Sequence, residues 1–405
     1  MRRIENETVG WARTRTRFAA GLLAWLLASG ALAGRPFTPE SDGQVLETLP
    51  KALLAEQGAL TALRRRLSDD PSDRELAVEV AERYVSLGKQ QSDPRYYGYA
   101  QAALAPWWSQ EAPPPDVLLL RAKIKERDHR YDDAIADLRL LLEGAPRNVQ
   151  AWVELTNLYR VQGRLDEARQ ACENLSGFAD AASVMFCGVP VQAATGQAEE
   201  AYAALGRILP VARDRWTDAL PWVLTMQAEV ARALGKNDEA QRHYREGLEL
   251  HPDDTYLLRA YADFLLDRGR EDEVLPLLRD HTSDTGVLLR AAIAADRLGR
   301  ADAARDWSGQ LESRFEEIRL RGGEPHGRYE SRYALELQKQ PKQALGLALA
   351  NWQKQREVRD SRNVLEAALA ADDPSAASPV LAFLRRYNTQ DVDLQRLVDQ
   401  LEAAE

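Results

Sequence analysis

Five glycines, Gly163, Gly196, Gly235, Gly269 and Gly299, punctuate the chain, and five residues after each stands a small or apolar residue: Ala168, Ala201, Ala240, Val274 and Ala304. Carried outward, the same register reaches Ala134 and Ala344, with His129 and Lys339 where the glycine would stand. The steps from Ala134 to Ala344 are 34, 33, 39, 34, 30 and 40 residues. A period near 34 marks a solenoid, in which each unit can bury its apolar face only against the next. Between the markers apolar residues recur at helical spacing rather than alternating. Each unit therefore reads as helix, short turn, helix. Glycine enters the turn conformation at little steric cost, the small residue lets the two helices approach, and a proline such as Pro146 or Pro252 stops the second helix. The pattern predicts an all-α fold, a right-handed α-solenoid of about eight helix-turn-helix units.

The best unit reads Trp152-x2-Leu155-Thr156-x2-Tyr159, then Gly163, then Ala168-x3-Cys172; others read Ala134-x3-Leu138 to Pro146 and Ala240-x3-Tyr244 to Pro252. This series resembles the tetratricopeptide repeat family, whose pattern is W-x2-L-G-x2-Y, A-x3-F and a closing P. The resemblance covers roughly residues 75 to 400. Two units are lengthened, by "VARDRWTDALP" after Leu209 and by "RFEEIRLRGGEPHG" after Leu311, and the unit near Asp73 has the enlarged turn "GKQQSDPRYYGYAQ". Residues 73–400 are expected to form the solenoid, with a degenerate capping repeat from about Arg359. Residues 34–72 read as a tether and N-terminal cap helix.

The N-terminus carries a separate signal. Arg13, Arg15 and Arg17 precede the uncharged run from Phe18 to Ala33, which closes on Ala31-Leu32-Ala33. A basic stretch, a short apolar run and a small-x-small ending are the parts of a secretory signal peptide. Residues 1–33 are therefore expected to direct export to the periplasm of a Gram-negative bacterium, with cleavage near Ala33; the alternative is retention as an anchor. No later stretch reaches the roughly 20 apolar residues of a spanning helix. Hydrophobic residues at 45% suit a folded chain, and a formal charge of -10 speaks against a nucleic-acid groove.

Catalytic motifs are absent: there is no phosphate-binding loop, zinc-protease helix or nucleophile elbow. The chain reads as no enzyme, with no cofactor and no metal. The loop "RGGEPHG", with Glu324 and His326, has the look of a site but is first a connection between repeats. The acidic pairs Asp69-Asp70, Asp253-Asp254 and Asp372-Asp373 lie at helix ends, where carboxylates cap backbone N–H groups. Cys172 and Cys187, the two cysteines, are either a disulfide or two buried thiols. Of Trp107 and Trp108, adjacent on a helix, one is expected to pack inward and the other to face a partner.

Solenoids of paired helices curve, leaving a concave face lined by the first helix of each pair. The family register places Lys123, Asn157, Arg160, Trp222, Glu229, Arg232, Tyr256 and Arg259 on that face, with Glu126, Val153, Thr225, Asp263, Tyr329, Tyr333 and Glu336 as further members. Arginine and aromatic residues together suit a protein or peptide segment. The resemblance extends to family members that clamp a peptide carboxylate. Asn157 fits one clamp position, but Pro190 stands where the next Asn belongs, so the clamp is not supported. The expected function is a non-catalytic protein-interaction scaffold in the cell envelope. The alternative is a scaffold subunit of a polysaccharide export or modification machine or a secretion machine. A glycan partner has no residue pattern in its favour.

Overall fold

The computed structural model of the protein describes residues 51–404 except residue 92. The expected signal peptide and the tether ahead of residue 51 lie outside the described residues. Residues 63–405 form one compact unit, and of the other unit, residues 1–62, the described part is the start of helix α1 (Lys51–Asp69).

Helices follow one another in pairs: α2 (Arg74–Gln91) with α3 (Arg95–Ala103), the single turn α4 (Ala105–Trp108), α5 (Pro115–Arg127) with α6 (Tyr131–Gly144), and α7 (Val149–Val161) with α8 (Leu165–Glu173). Next come α9 (Ala181–Ala194) with α10 (Ala198–Arg215), α11 (Leu220–Ala233) with α12 (Asn237–Leu250), and α13 (Thr255–Leu266) with α14 (Glu271–Leu278). The array ends in α15 (Thr285–Arg297) with α16 (Ala301–Leu320), α17 (Gly327–Glu336) with α18 (Pro341–Trp352), α19 (Val358–Ala370) with α20 (Ser378–Tyr387), and α21 (Val392–Glu402). No strand occurs among the described residues, and no helix there is long and apolar enough to cross a membrane. The protein is an α-solenoid. The two lengthened units appear as the long second helices α10 and α16.

The register read from the glycines reproduces the geometry. His129, Gly163, Gly196, Gly235, Gly269, Gly299 and Lys339 all have positive φ, between 55° and 74°. The chain reverses at each in a left-handed cap, as where Arg164 N–H reaches back to the Tyr159 carbonyl at 2.8 Å and Gly163 N–H to that of Arg160 at 3.0 Å. Each second helix then presents its marker inward: Ala134, Ala168, Ala201, Ala240, Val274 and Ala344 are all 0% exposed and Ala304 is 7% exposed. First helices start on caps at Asn148, Asp180, Asp254 and Asp284, whose side chains accept from backbone N–H groups of the first turn. The core runs along the pairs as successive apolar clusters. Tyr244 and Phe264, each 1% exposed, anchor its centre with ring centroids 5.6 Å apart.

Within residues 63–405 the array curls until its last repeats meet its early ones. The contact runs along the glycine turns. A Cβ at Gly163 would lie 2.7 Å from the Arg356 Cβ, one at Gly196 would lie 2.8 Å from the Asn388 amide nitrogen, and one at Gly235 would lie 3.6 Å from Val392. Backbone and side chains hydrogen-bond across the seam: Arg356 N–H donates to the Val161 carbonyl at 2.7 Å, and Ala198 N–H to Gln390 Oε1 at 2.8 Å. At Gly163 and Gly196 a turn that needs glycine for its φ therefore needs it again for the space it leaves.

Candidate functional site: a chamber lined by the first helices

Closure converts the concave face into a chamber of about 920 Å³. Helices α7, α9, α11, α13 and α17 and the start of α19 contribute to its lining. Asn157, Arg160, Trp222, Glu229, Arg232 and Tyr256, six of the eight residues placed on the concave face by register, line it; Lys123 and Arg259 do not. Lys123 pairs with Glu154 at 3.5 Å, and Arg259 donates to Asp284 at 3.1 Å. Val153, Thr225, Asp263 and Tyr329 also line the space. Tyr333 is 7% exposed and packs on Phe315 in the core, 5.7 Å between centroids.

The lining has two chemistries. From α9 and α11 come Phe186, Pro190, Trp222 and Met226, with Phe186 and Trp222 edge to face at 4.5 Å. From α7, α11, α13, α15, α17 and the start of α19 come charges in two ion-paired clusters. Arg160 donates to Glu357 at 2.7 Å, and Arg328 holds both Glu357 at 2.8 Å and Asp360 at 2.6 Å. Asp263 accepts from Arg290 at 2.6 Å and from Arg332 at 2.5 Å. Glu229 accepts from Arg359 at 2.9 Å and from the Tyr256 hydroxyl at 2.9 Å. A further pair, Arg232 with Asp391 at 2.7 Å, ties α11 to the start of α21.

Tyr256 is 47% exposed, yet burial raises its phenol well above the usual range and the Glu229 charge raises it further. The two facts agree if its open face looks into the chamber rather than into bulk water. Burial alone would raise the carboxyls of Asp263 and Glu357. The arginines override it: Arg290, Arg332 and Arg359 hold Asp263 far below the carboxylate range, and Arg160 and Arg328 do the same for Glu357. Both carboxyls are therefore charged near neutral pH, each against its arginines.

Residues from the last repeats complete the chamber: Arg328, Arg356, Glu357, Arg359 and Arg362. Sequence reading assigned that region to a cap. The one local hint is "KQREVRDSR", a charged run denser than a solvated helix start requires. The other candidate features fall elsewhere. Glu324 pairs with Lys354 at the surface, while His326 is half-buried beside His129, with ring centroids 5.1 Å apart. Cys172 and Cys187 are free, buried thiols in one small apolar cluster with Leu175. The neighbouring Cys187 sulfur, with burial, holds the Cys172 thiol well above its ordinary range. Trp107 and Trp108 are both half-buried, and the Trp108 carbonyl accepts from Arg121 at 2.7 Å. No group of three or more metal-ligating side chains occurs among the described residues.

Residues 130–312 match the tetratricopeptide repeat family. That stretch of the chain is a tetratricopeptide repeat array. No curated protein matches its sequence. Among solved structures this repeat protein is similar to PilW, a widely conserved type IV pilus biogenesis factor, at 18% identity and TM-score 0.40, over 50% of this chain and 94% of that one. It is similar to a thermophilic TPR protein from Thermus thermophilus at 22% identity and TM-score 0.38, over 46% of this chain and 99% of that one. A human IFIT1 dimer with PPP-AAAA gives 11% identity and TM-score 0.49, over 82% and 77%. These values carry no functional inference. The tetratricopeptide fold supports protein–protein interaction in general, and its members are typically non-catalytic scaffolds.

Proposed function

We propose that this repeat protein is a non-catalytic interaction scaffold of the bacterial cell envelope that holds part of a partner protein in the chamber. The observation that carries this reading is the lining itself, which joins an aromatic patch at Phe186 and Trp222 to ion-paired arginines in one cavity. Arginine and aromatic residues supply a disproportionate share of interface energy, about 2 kcal/mol or more at a hot spot. The apolar and basic segments at the N-terminus support export.

Reversing Arg160 or Arg232 is a poor test, because a glutamate there would face Glu357 or Asp391. Trp222→Ala and Tyr256→Ala remove lining without stranding a charge. The full-length chain, tagged at its C-terminus, is expressed in a Gram-negative host and its partners captured from the periplasmic fraction. Capture by wild type and by Arg305→Ala, an exposed control, with loss in Trp222→Ala supports the chamber. Equal capture by all three, or a protein found only in the cytoplasm, refutes it.

A further inference from the structure

Arg356 differs from the other arginines of the chamber. Its Nε donates to the Trp352 carbonyl at 3.2 Å and its guanidinium lies 5.9 Å from the Trp352 ring. Among the described residues no carboxylate reaches it within ion-pair distance, although it lines the chamber. It is also held in place: its stem abuts Gly163 and its backbone N–H is bonded to Val161. Eight arginines and eight carboxylates line the chamber, so its charges balance, and among the described residues Arg356 is the lining arginine left without an ion pair. Guanidinium groups suit planar carboxylates, which they bind through two parallel hydrogen bonds. The α9 and α11 part offers Phe186, Trp222 and Met226 to an apolar body. At about 920 Å³, the space is near the upper end of the roughly 300–1,000 Å³ of small-ligand sites.

We propose that the chamber binds an amphipathic carboxylate, its apolar body against Phe186, Trp222 and Met226 and its carboxylate on Arg356. This inference rests on the reading of the chamber as a binding site and adds the chemistry of what enters. Two sources share that chemistry: a free molecule such as a medium-chain fatty acid, and the C-terminus of a protein that ends in apolar residues.

Calorimetric titration of the full-length protein with octanoate and with acetyl-Ala-Leu-Phe bearing a free carboxylate tests it, beside octanamide and the amidated peptide. At least one acid saturates at one site per chain, and its amide binds about tenfold or more weakly, the loss expected for a charge-assisted hydrogen-bond pair. Arg356→Gln and Trp222→Ala each weaken that acid by about tenfold, with unchanged circular dichroism. Saturation by octanoate alone assigns a free molecule, and by the peptide alone a chain end. The proposal is overturned if neither acid saturates, if the amides bind as tightly, or if folded Arg356→Gln binds as wild type does. Should Arg356→Gln fail to fold, acid against amide on wild type decides. Partner capture that depends on Trp222 while no acid binds leaves the scaffold standing and removes the carboxylate.

Discussion

Glu126 sits at the end of α5, where its carboxylate accepts from Asn157 Nδ2 at 3.1 Å. Burial raises its pKa from 4.5 to about 7, with the Glu154 charge adding to the effect and Lys89 and Arg160 opposing it. A carboxyl whose folded pKa exceeds its unfolded value binds more protons in the folded state between those two values. Folding stability therefore falls as pH rises from 4.5 to about 7, and the cost is fully present above that window. At about 1.4 kcal/mol per unit the cost approaches about 3 kcal/mol, an upper bound for a site that is only partly enclosed. Glu126→Gln keeps an oxygen for Asn157 and removes the charge. The variant should match wild type near pH 4.5 and unfold several degrees higher near pH 8, followed by circular dichroism at 222 nm. A variant that gains nothing at pH 8, or gains equally at both ends, shows that Glu126 is ionised in the folded protein at little cost.

Gly163→Ala combines a positive φ of 71° with a Cβ 2.7 Å from Arg356, whereas Gly299→Ala has a φ of 69° and nothing within 4 Å. Thermal unfolding should show a loss of about 1 kcal/mol at Gly299 and clearly more at Gly163, and equal losses would deny the seam. Asp391→Ala strips the half-buried Arg232 of its nearer partner and removes the cap of α21, which accepts from Asp393 and Leu394 N–H at 3.0 and 3.1 Å. A loss of about 3 kcal/mol in a urea titration is expected. Burial, with the charges of Arg127 and Lys354, lowers His129 from 6.5 to about 4, so the unfolded chain gains the proton first and stability drops as pH falls through that range. His129→Asn, which tolerates the left-handed turn, should flatten that acid limb of melting temperature against pH; an unchanged limb assigns it to other groups.

The turn positions were legible because a left-handed cap and a small residue five places on are local demands, met by local chemistry. His129 and Lys339, neither a glycine, were still found by register, since the period fixes where the chain must reverse. The concave face was legible for the same reason, through the i, i+3, i+4 faces that bring Asn157 and Arg160 or Trp222 and Glu229 to one side. What escaped was the meeting of Arg160 with Glu357, or Gly163 with Arg356. Superhelical pitch decides such contacts, and pitch accumulates from small rotations spread over every repeat interface, none of which has a residue signature. The C-terminal repeats looked like a cap because a weak motif and a solvated end look alike in sequence.

The seam changes how the array should unfold. In an open solenoid each repeat touches only its neighbours, so the stability is nearly a sum of local terms and the ends fray independently. Here the bond from Arg160 to Glu357 joins residues 197 apart, and that from Ala198 N–H to Gln390 spans 192. The terminal repeat thus has a second neighbour, far away in sequence, and loses both together. Fraying from the C-terminus would uncover the glycine turns of three distant repeats and open the chamber. That makes it a single cooperative event, with a folding rate governed by a loop that most repeat proteins never have to close.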